Sequence, residues 1–192
     1  TAADMLREGA IIGVPTETVY GLAVRPDDPA AMDRLYELKQ LPRDKKLSRL
    51  VAGPSLWTDH VSAMPEAARV LAERFWPGPL TLVVPRDSGE TVGLRCPDCA
   101  ALRQVVDLCG VPVAAPSANL SGDTPAVSAR EVMDIFEGRI EAVLDGGQAR
   151  MEQASTVVSV ADDEVKILRP GGVPEEDLRD ALRQAGCEVS LS

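Results

Sequence analysis

Two arginines are the side chains of this sequence best suited to hold an anionic ligand. Arg95 ends a predicted strand within the segment GLRCPD, and Arg169 ends another within ILRPG. A guanidinium group can bind a carboxylate or a phosphate through two parallel hydrogen bonds. Isolated arginines usually face solvent, however, so a ligand is inferred only where a second signal accompanies them.

A short cationic segment supplies that signal. Residues 39–49 contain five cations and one acid, Asp44, which gives the segment a net charge of +4. The cations are Lys39, Arg43, Lys45, Lys46 and Arg49. Such a run is typical of a solvated loop. In a chain whose net charge is -10, it also fits a local site for phosphate groups.

Two turns rich in small polar residues follow predicted apolar strands. The first is PTETVYGL, which begins at Pro15, and the second is PSANLSG, which begins at Pro116. In α/β sheets, ligands bind beyond the carboxyl ends of strands. Hydroxyls and backbone N–H groups at these turns can hold phosphate there. Taken alone, each turn is equally typical of an ordinary loop.

The sequence offers no pattern for a covalent nucleophile or for zinc. His60 is the only histidine, and no Ser-His-Asp or Cys-His arrangement can be proposed around it. Cys96 and Cys99 form one C-x-x-C motif, but a structural zinc site needs four ligands and no second motif completes it. We therefore expect no zinc, and reduced thiols in a cytosolic protein.

Helical and strand patterns alternate along the whole chain, which predicts an α/β fold. No repeat or long linker interrupts them, so residues 1–192 are predicted to form a single domain. The predicted helices span residues 2–7, 29–39, 65–74, 98–109, 128–136 and 174–184. The predicted strands span residues 10–14, 47–52, 80–85, 92–96, 111–116, 142–145, 156–160 and 165–169.

Charge and hydropathy argue against two classes of partner, tightly bound nucleic acid and the membrane. A sequence pI of about 4.6 argues against tight binding of nucleic acid, because that affinity depends on a broad basic surface. No apolar run reaches the roughly 18–20 residues that cross a bilayer. The first nine residues are typical of a helix and not of a signal peptide. We therefore expect a cytoplasmic protein without a membrane partner.

Seven segments in a fixed order resemble the YrdC-like family over residues 2–172. They are PTETVYGL, LKQLPRDKKL, WPGPLTLVVP, GLRCPD, APSANLSG, STVV and ILRPG. The resemblance implies a YrdC-like twisted open mixed sheet with flanking helices around a positively charged groove. It also implies an L-threonylcarbamoyladenylate synthase of the single-domain form, a nucleotidyltransferase that makes threonylcarbamoyl-AMP and pyrophosphate from L-threonine, bicarbonate and ATP. Separate partner proteins would then transfer the product to tRNA, which this chain would meet indirectly or weakly.

The resemblance also implies roles for individual residues. Three are implied to hold threonine: Thr16, Arg95 and Ser155. Five are implied to hold ATP: Lys39, Lys45, Ser117, Asn119 and Arg169. Arg43, a further cation of residues 39–49, is also predicted to bind ATP. Lys39 and Lys45 are further implied to be catalytic cations, with Mg²⁺ accompanying the ATP and no metal bound by the protein itself.

One position departs from the family pattern. The family's K-x-R reads Lys39-Gln40-Leu41 here, so a phosphate-facing arginine is replaced by leucine. Arg43 or Lys46 could supply the missing cation. Alternatively, the chain is a weak or silent paralogue that binds nucleotide or RNA (tRNA, double-stranded RNA or ribosome precursors). A third hypothesis is a carbamoyl transferase that acts on another small molecule.

Overall fold

The computed structural model describes residues 1–58, 60–161, 164–187 and 190–191. Its helices are α1 Ala2–Arg7, α2 Pro29–Lys39, α3 Glu66–Phe75, α4 Ala100–Cys109, α5 Ala129–Phe136 and α6 Glu175–Gln184. Its strands are β1 Ile12–Val14, β2 Gly21–Ala23, β3 Arg49–Leu50, β4 Leu80–Pro85, β5 Thr91–Arg95, β6 Val113–Ala114, β7 Ala142–Val143, β8 Thr156–Ala161, β9 Glu164–Arg169 and β10 Ser190–Leu191.

The strands form two mixed sheets. A small sheet has the order β2-β1-β7, and a large sheet has the order β10-β9-β8-β4-β5-β3-β6. Isolated bridges from Gly21 to Ser117 and from Val24 to Ala114 join the two sheets. The predicted mixed α/β architecture is confirmed. The resemblance implied one open mixed sheet, whereas the structure divides the strands between a large and a small sheet.

Strand direction in the large sheet gathers the ends of several strands at one edge. Strand β4 runs parallel to β8, whereas β5 and β9 run antiparallel to β4 and β8 respectively. Leu82 pairs with Leu94, and Val157 pairs with Arg169. The last residues of β5 and β9 therefore lie beside the first residues of β4 and β8.

Apolar aliphatic side chains hold the large sheet against two helices. Leu71 of α3 and Leu178 of α6 are buried in one cluster with Leu82 and Val158 of the sheet. A buried leucine contributes about 1.5–3 kcal/mol relative to an exposed one. Because aromatics are scarce, this packing of leucine and valine is the main support of the strands that carry the predicted arginines.

Helix ends follow the capping signals of the sequence, with one difference. Helix α2 begins after Asp28, whose carboxylate accepts hydrogen bonds from Ala30 N and Ala31 N. Ser128 caps α5, because its hydroxyl accepts a hydrogen bond from Glu131 N. The spacing of Ser128 and Glu131 is typical of a capping box, but the Glu131 carboxylate accepts from Val127 N instead of Ser128 N. Throughout the described residues, each helix is too short or too polar to cross a bilayer.

Candidate functional site: a cleft at the strand ends

A cleft of about 170 Å³ lies where the strand ends converge. Six of the nine predicted site residues line it: Thr16, Lys45, Arg95, Ser117, Ser155 and Arg169. They come from segments that are far apart in sequence but meet at one edge of the large sheet. Lys39, Asn119 and Arg43 are the three predicted residues that do not line the cleft. We refer to this cavity as the cleft.

Arg95 is held at the end of β5 by the first turn. Its Nη2 donates to Glu17 Oε1 at 2.9 Å and to Thr18 Oγ1 at 2.8 Å. The Arg95 and Glu17 side chains are only 12% and 3% exposed. Within the described chain, Arg95 Nε and Glu17 Oε2 are buried without a hydrogen-bond partner. The guanidinium is thus oriented by protein groups and retains a donor for a ligand.

Arg169 is anchored to Ser155 at the opposite wall. Its Nε and Nη2 donate to Ser155 O at 3.2 and 2.7 Å, and Nη2 also donates to Ser155 Oγ at 3.1 Å. Ser155 Oγ lies 2.9 Å from the Thr81 hydroxyl. Burial lowers the pKa of Arg169, and repulsion from Arg95 lowers it further. The two guanidinium groups therefore contribute positive charge to the same cleft.

Gly171 permits this approach of β9 to the start of β8. A Cβ atom on Gly171 would lie 2.4 Å from Ala154 O and 2.5 Å from Thr156 N. Such contacts are shorter than any real side chain tolerates, so only glycine fits here. The glycine of the ILRPG segment thus keeps Arg169 next to Ser155.

Thr16 lines the cleft, but its hydroxyl is engaged in its own turn. Its Oγ1 donates to Val19 O at 2.6 Å and accepts from Thr18 N at 3.1 Å and Val19 N at 3.2 Å. These bonds shape the loop that presents Glu17 to Arg95. Direct contact between Thr16 and threonine remains a prediction.

Lys39 lies beneath the cleft and supports the second turn. The side chain is 2% exposed, and Nζ donates to Ser117 O and to Asn119 O, the latter at 2.5 Å. Burial and the charge of Lys45 lower the pKa of Lys39 to about 8. Lys39 therefore connects the end of α2 to the backbone of residues 117–119, which we call the SAN segment. Its contact with ATP remains a prediction.

The SAN segment is a tightly bonded turn after β6. Ser117 Oγ donates to Asn119 Oδ1 at 2.6 Å, and Asn119 Nδ2 donates to Leu120 O and Asp123 O. Ala118 N donates to Tyr20 O at 2.7 Å, which fixes this turn against the first one. Ser117 faces the cleft, whereas the Asn119 amide is committed to the turn.

The cationic segment divides between the cleft and other surfaces. Lys45 lines the cleft, and the Tyr36 hydroxyl fixes its backbone by donating to Lys45 O at 2.5 Å. Arg43 pairs with Asp33 and Glu37 on the exposed side of α2. The contact of Arg43 with ATP remains a prediction, and in this conformation the Arg43 side chain does not reach the cleft.

Leu41 receives no substitute cation from its neighbours. Its side chain is 9% exposed, and its N–H donates to Tyr36 O at 2.9 Å. Lys46, the other candidate replacement, lies 3.9 Å from Glu90 and lines a different cavity. The cleft therefore contains Lys45 but not the additional arginine that the family pattern places at the position of Leu41.

Three polar residues of the site lay outside the predicted set. Glu17 and Thr18 orient Arg95, and Thr81 contacts Ser155. The motif PTETVYGL contains the first two, and WPGPLTLVVP contains the third. Their partners lie 74 to 78 residues away, so the motifs alone could not reveal the pairings.

The cleft is suited to polar recognition rather than covalent catalysis. Lys45, Arg95 and Arg169 line the cleft, and of these only Arg95 is paired with a carboxylate, that of Glu17, which leaves an excess of positive charge. Burial raises the pKa of Cys96, the residue after Arg95, to about 11, which disfavours a nucleophilic thiolate. All four cysteines are free thiols. In the described part of the chain, no group of three or more His, Cys, Asp or Glu could hold a metal ion.

Comparison with known proteins identifies the family. Residues 4–171 match the model of the Sua5/YciO/YrdC family, which is described as "Telomere recombination". A threonylcarbamoyl-AMP synthase of Pyrococcus abyssi (strain GE5/Orsay) is 38% identical over 190 residues, covering 94% of this chain and 56% of the relative. That of Bacillus subtilis (strain 168) is 38% identical over 201 residues, covering 100% of this chain and 58% of the relative.

A solved structure gives the same result for the fold. The crystal structure of Pyrococcus abyssi Sua5 complexed with L-threonine has a TM-score of 0.89 and 37% identity, covering 100% of this chain and 58% of that one. This chain thus spans 56–58% of the length of the relatives named here. The fold and the matched sequence agree: the chain belongs to the Sua5/YciO/YrdC family.

Proposed function

We propose that this chain is an L-threonylcarbamoyladenylate synthase acting in the cytoplasm as one domain over residues 1–192. The observation that carries the proposal is the meeting of Arg95, Ser155, Arg169 and Lys45 in a single cleft. The relatives named threonylcarbamoyl-AMP synthase support it, as does the family member whose structure contains L-threonine. The reaction joins threonine, bicarbonate and ATP, and releases pyrophosphate and water.

Arg95 is proposed to bind the threonine carboxylate. Nη1 of Arg95 makes no hydrogen bond among the described residues and is not buried as Nε is, so it can donate to the threonine carboxylate in a charge-assisted ion pair. Glu17 and Thr18 hold the guanidinium before the ligand arrives, which reduces the entropy cost of binding. Ser155 and Thr16 complete the proposed threonine pocket.

Lys45 and Arg169 are proposed to bind the ATP phosphates. The carbamate formed from threonine and bicarbonate attacks the α-phosphorus, and the bond to pyrophosphate breaks. Charge neutralisation and positioning supply most of the rate acceleration in such transfers. Ser117 offers a hydroxyl to the nucleotide, while Lys39 and Asn119 keep its loop in place. Mg²⁺ would accompany the ATP and add positive charge at the phosphates.

Pyrophosphate release is the direct test. Purified protein with Mg²⁺ should release pyrophosphate from ATP only when both threonine and bicarbonate are present. Arg169→Gln should reduce kcat/KM by about 10-fold or more, because a charge-assisted bond is lost. Arg130→Gln is the matched control, since Arg130 is 90% exposed and should leave the rate unchanged. Folded wild-type protein that releases no pyrophosphate would overturn the proposal.

Leu41 favours a second candidate, a paralogue that binds nucleotide without efficient turnover. Neither Arg43 nor Lys46 faces the cleft, so the charge lost at Leu41 is not restored by either. A titration of ATP with and without threonine separates the two functions when it is combined with the rate measurement. ATP binding without threonine-dependent turnover would favour the paralogue.

A further inference from the structure

A second cationic cavity lies next to the cleft and takes no part in the proposed reaction. It has a volume of about 300 Å³, and we call it the cationic pocket. The residues of its wall that matter here are Lys46, Ser48, Arg49, Arg86, Glu90 and Gly93. Only Ser48 also lines the cleft, so the two cavities share part of one wall.

Two arginine side chains of this pocket have no partner among the residues that the structure describes. Within the described residues, neither Arg49 nor Arg86 has a guanidinium group in a hydrogen bond or an ion pair. Asp27 attracts Arg49, but both oxygens of its carboxylate accept hydrogen bonds from Arg25, at 3.0 and 2.9 Å. In a chain of net charge -10, carboxylates are abundant, so an unpaired arginine pair is unexpected.

Arg49 and Arg86 line the same cavity, and their charges repel one another. Burial lowers the pKa of Arg49, and the charge of Arg86 lowers it further. Both side chains are partly buried, so water screens this repulsion incompletely. The one acid of the wall, Glu90, is exposed and lies 3.9 Å from Lys46. A bound anion would relieve the repulsion and provide both arginines with acceptors.

The backbone keeps the pocket open and separate from the cleft. A Cβ atom on Gly93 would lie 2.5 Å from Ser48 Oγ, so a larger residue would displace the shared wall. Arg49 pairs with Leu94 of β5 on one side and with Ala114 of β6 on the other, which fixes its backbone between two strands. Arg49 lines the cationic pocket and the next residue, Leu50, lines the cleft, because neighbouring residues of a strand face opposite sides.

We propose that the cationic pocket binds a free phosphate-type anion through Arg49 and Arg86. Orthophosphate and pyrophosphate share the tetrahedral oxygens that a guanidinium pair recognises. Pyrophosphate, the larger and more highly charged of the two, should bind more tightly. The site does not depend on the proposed enzyme activity. RNA phosphates are disfavoured as the occupant because the rest of the chain is acidic.

Calorimetric titration with sodium pyrophosphate tests the site. The wild-type protein, saturated with a non-hydrolysable ATP analogue, should still bind one pyrophosphate. Arg49→Gln and Arg86→Gln should each weaken that binding by about 10-fold or more. Arg86 lies beyond the end of β4, so its variant remains informative if Arg49→Gln fails to fold. Arg130→Gln is the matched control and should bind like the wild type.

The outcomes distinguish this site from the cleft. Binding that survives both pocket variants but is lost in Lys45→Gln would place pyrophosphate in the cleft and overturn the proposal. The proposal would also be overturned if pyrophosphate did not bind. The same holds if RNA, and not pyrophosphate, bound in a manner that requires Arg49. Failure of the enzyme assay with intact pyrophosphate binding would refute the proposed function and leave the cationic pocket supported.

Discussion

Lys39 illustrates how one charged side chain can serve a site from beneath it. Its ammonium group is buried against the carbonyl oxygens of Ser117 and Asn119. An ammonium ion removed from water is destabilised unless carbonyls or carboxylates replace the lost hydration. The two carbonyls do this in part, and the result is a turn whose position depends on one lysine.

The lowered pKa of Lys39 predicts a pH dependence of stability. Its pKa is about 8 when folded and 10.5 when unfolded, so between these values only the unfolded chain binds the proton. The contribution of Lys39 to the free energy of unfolding should therefore rise with pH, by about 2 kcal/mol from pH 7 to pH 10. Denaturant unfolding of the wild type and of Lys39→Gln measures this as a difference.

Subtraction of the variant is essential, because other groups titrate in the same range. Burial raises the pKa of Cys96 to about 11. The contribution of this thiol to the free energy of unfolding therefore falls as the pH rises from its unfolded pKa to that value. That effect is common to both proteins and cancels in the difference. A difference that stays constant or falls with pH would show that Lys39 is not destabilised by burial.

Leu41 carries a prediction about activity. In Leu41→Arg we expect turnover to equal or exceed the wild-type value, by up to about 10-fold, because a cation returns near the phosphates. We also expect a lower free energy of unfolding, by about 1–3 kcal/mol, since a nearly buried apolar side chain is lost. Steady-state pyrophosphate release and denaturant unfolding measure the two effects.

Leu41→Gln separates charge from polarity at this position. It loses the same apolar contacts without adding a cation, so its turnover should not exceed that of the wild type. A Leu41→Arg rate below the Leu41→Gln rate would contradict the prediction. That result would mean that the site is built around leucine.

At the scale of elements, the junction of β8 and β9 is the most constrained part of the cleft. In Gly171→Ala, the new Cβ would overlap backbone atoms of Ala154 and Thr156, which cannot move as a flexible side chain does. We expect a loss of about 2 kcal/mol in the free energy of unfolding. We also expect weaker ATP binding, because Arg169 would shift away from Ser155. Thermal unfolding and ATP titration test both.

Gly53→Ala is the matched control for that substitution. A Cβ atom there would meet only the Leu56 side chain, at 3.4–3.5 Å, which is ordinary contact. Its stability should stay within about 0.5 kcal/mol of the wild type. Equal effects of the two variants would mean that close packing at Gly171 does not hold the junction together.

Long strands and helices could be predicted from the sequence, whereas short strands and side-chain pairings could not. Strand β4 matches its predicted bounds because six consecutive apolar or β-branched residues define it. Strand β2 has three residues, fewer than the pattern needs to separate it from a turn. Arg43 was assigned to ATP by its place in a motif, yet Asp33 and Glu37 compete for it. Such competition depends on the folded positions of all three side chains.

Over the molecule as a whole, acidic residues outnumber basic ones, whereas the two cavities described above are lined mainly by basic residues. The chain has 30 acidic and 20 basic residues. Many surface arginines are paired with acids, either on the same helix, as Arg69 is with Glu66 and Glu73, or on another element, as Arg34 is with Glu141. Basic residues outnumber acidic ones in the lining of the cleft and of the cationic pocket. The molecule therefore favours compact anions over an extended polyanion.

This distribution predicts that the protein binds ATP but not RNA at about 150 mM salt. A protein on RNA must neutralise many phosphates along the strand, and each contact weakens as salt increases. Here acidic surface surrounds the cations, so fluorescence titration with tRNA should show no saturation below about 100 µM, the upper end of nonspecific affinities. The same sample should bind ATP, which controls for folding. Saturable tRNA binding that falls steeply with salt and is weakened in Lys46→Gln would contradict the prediction and favour the RNA-binding paralogue.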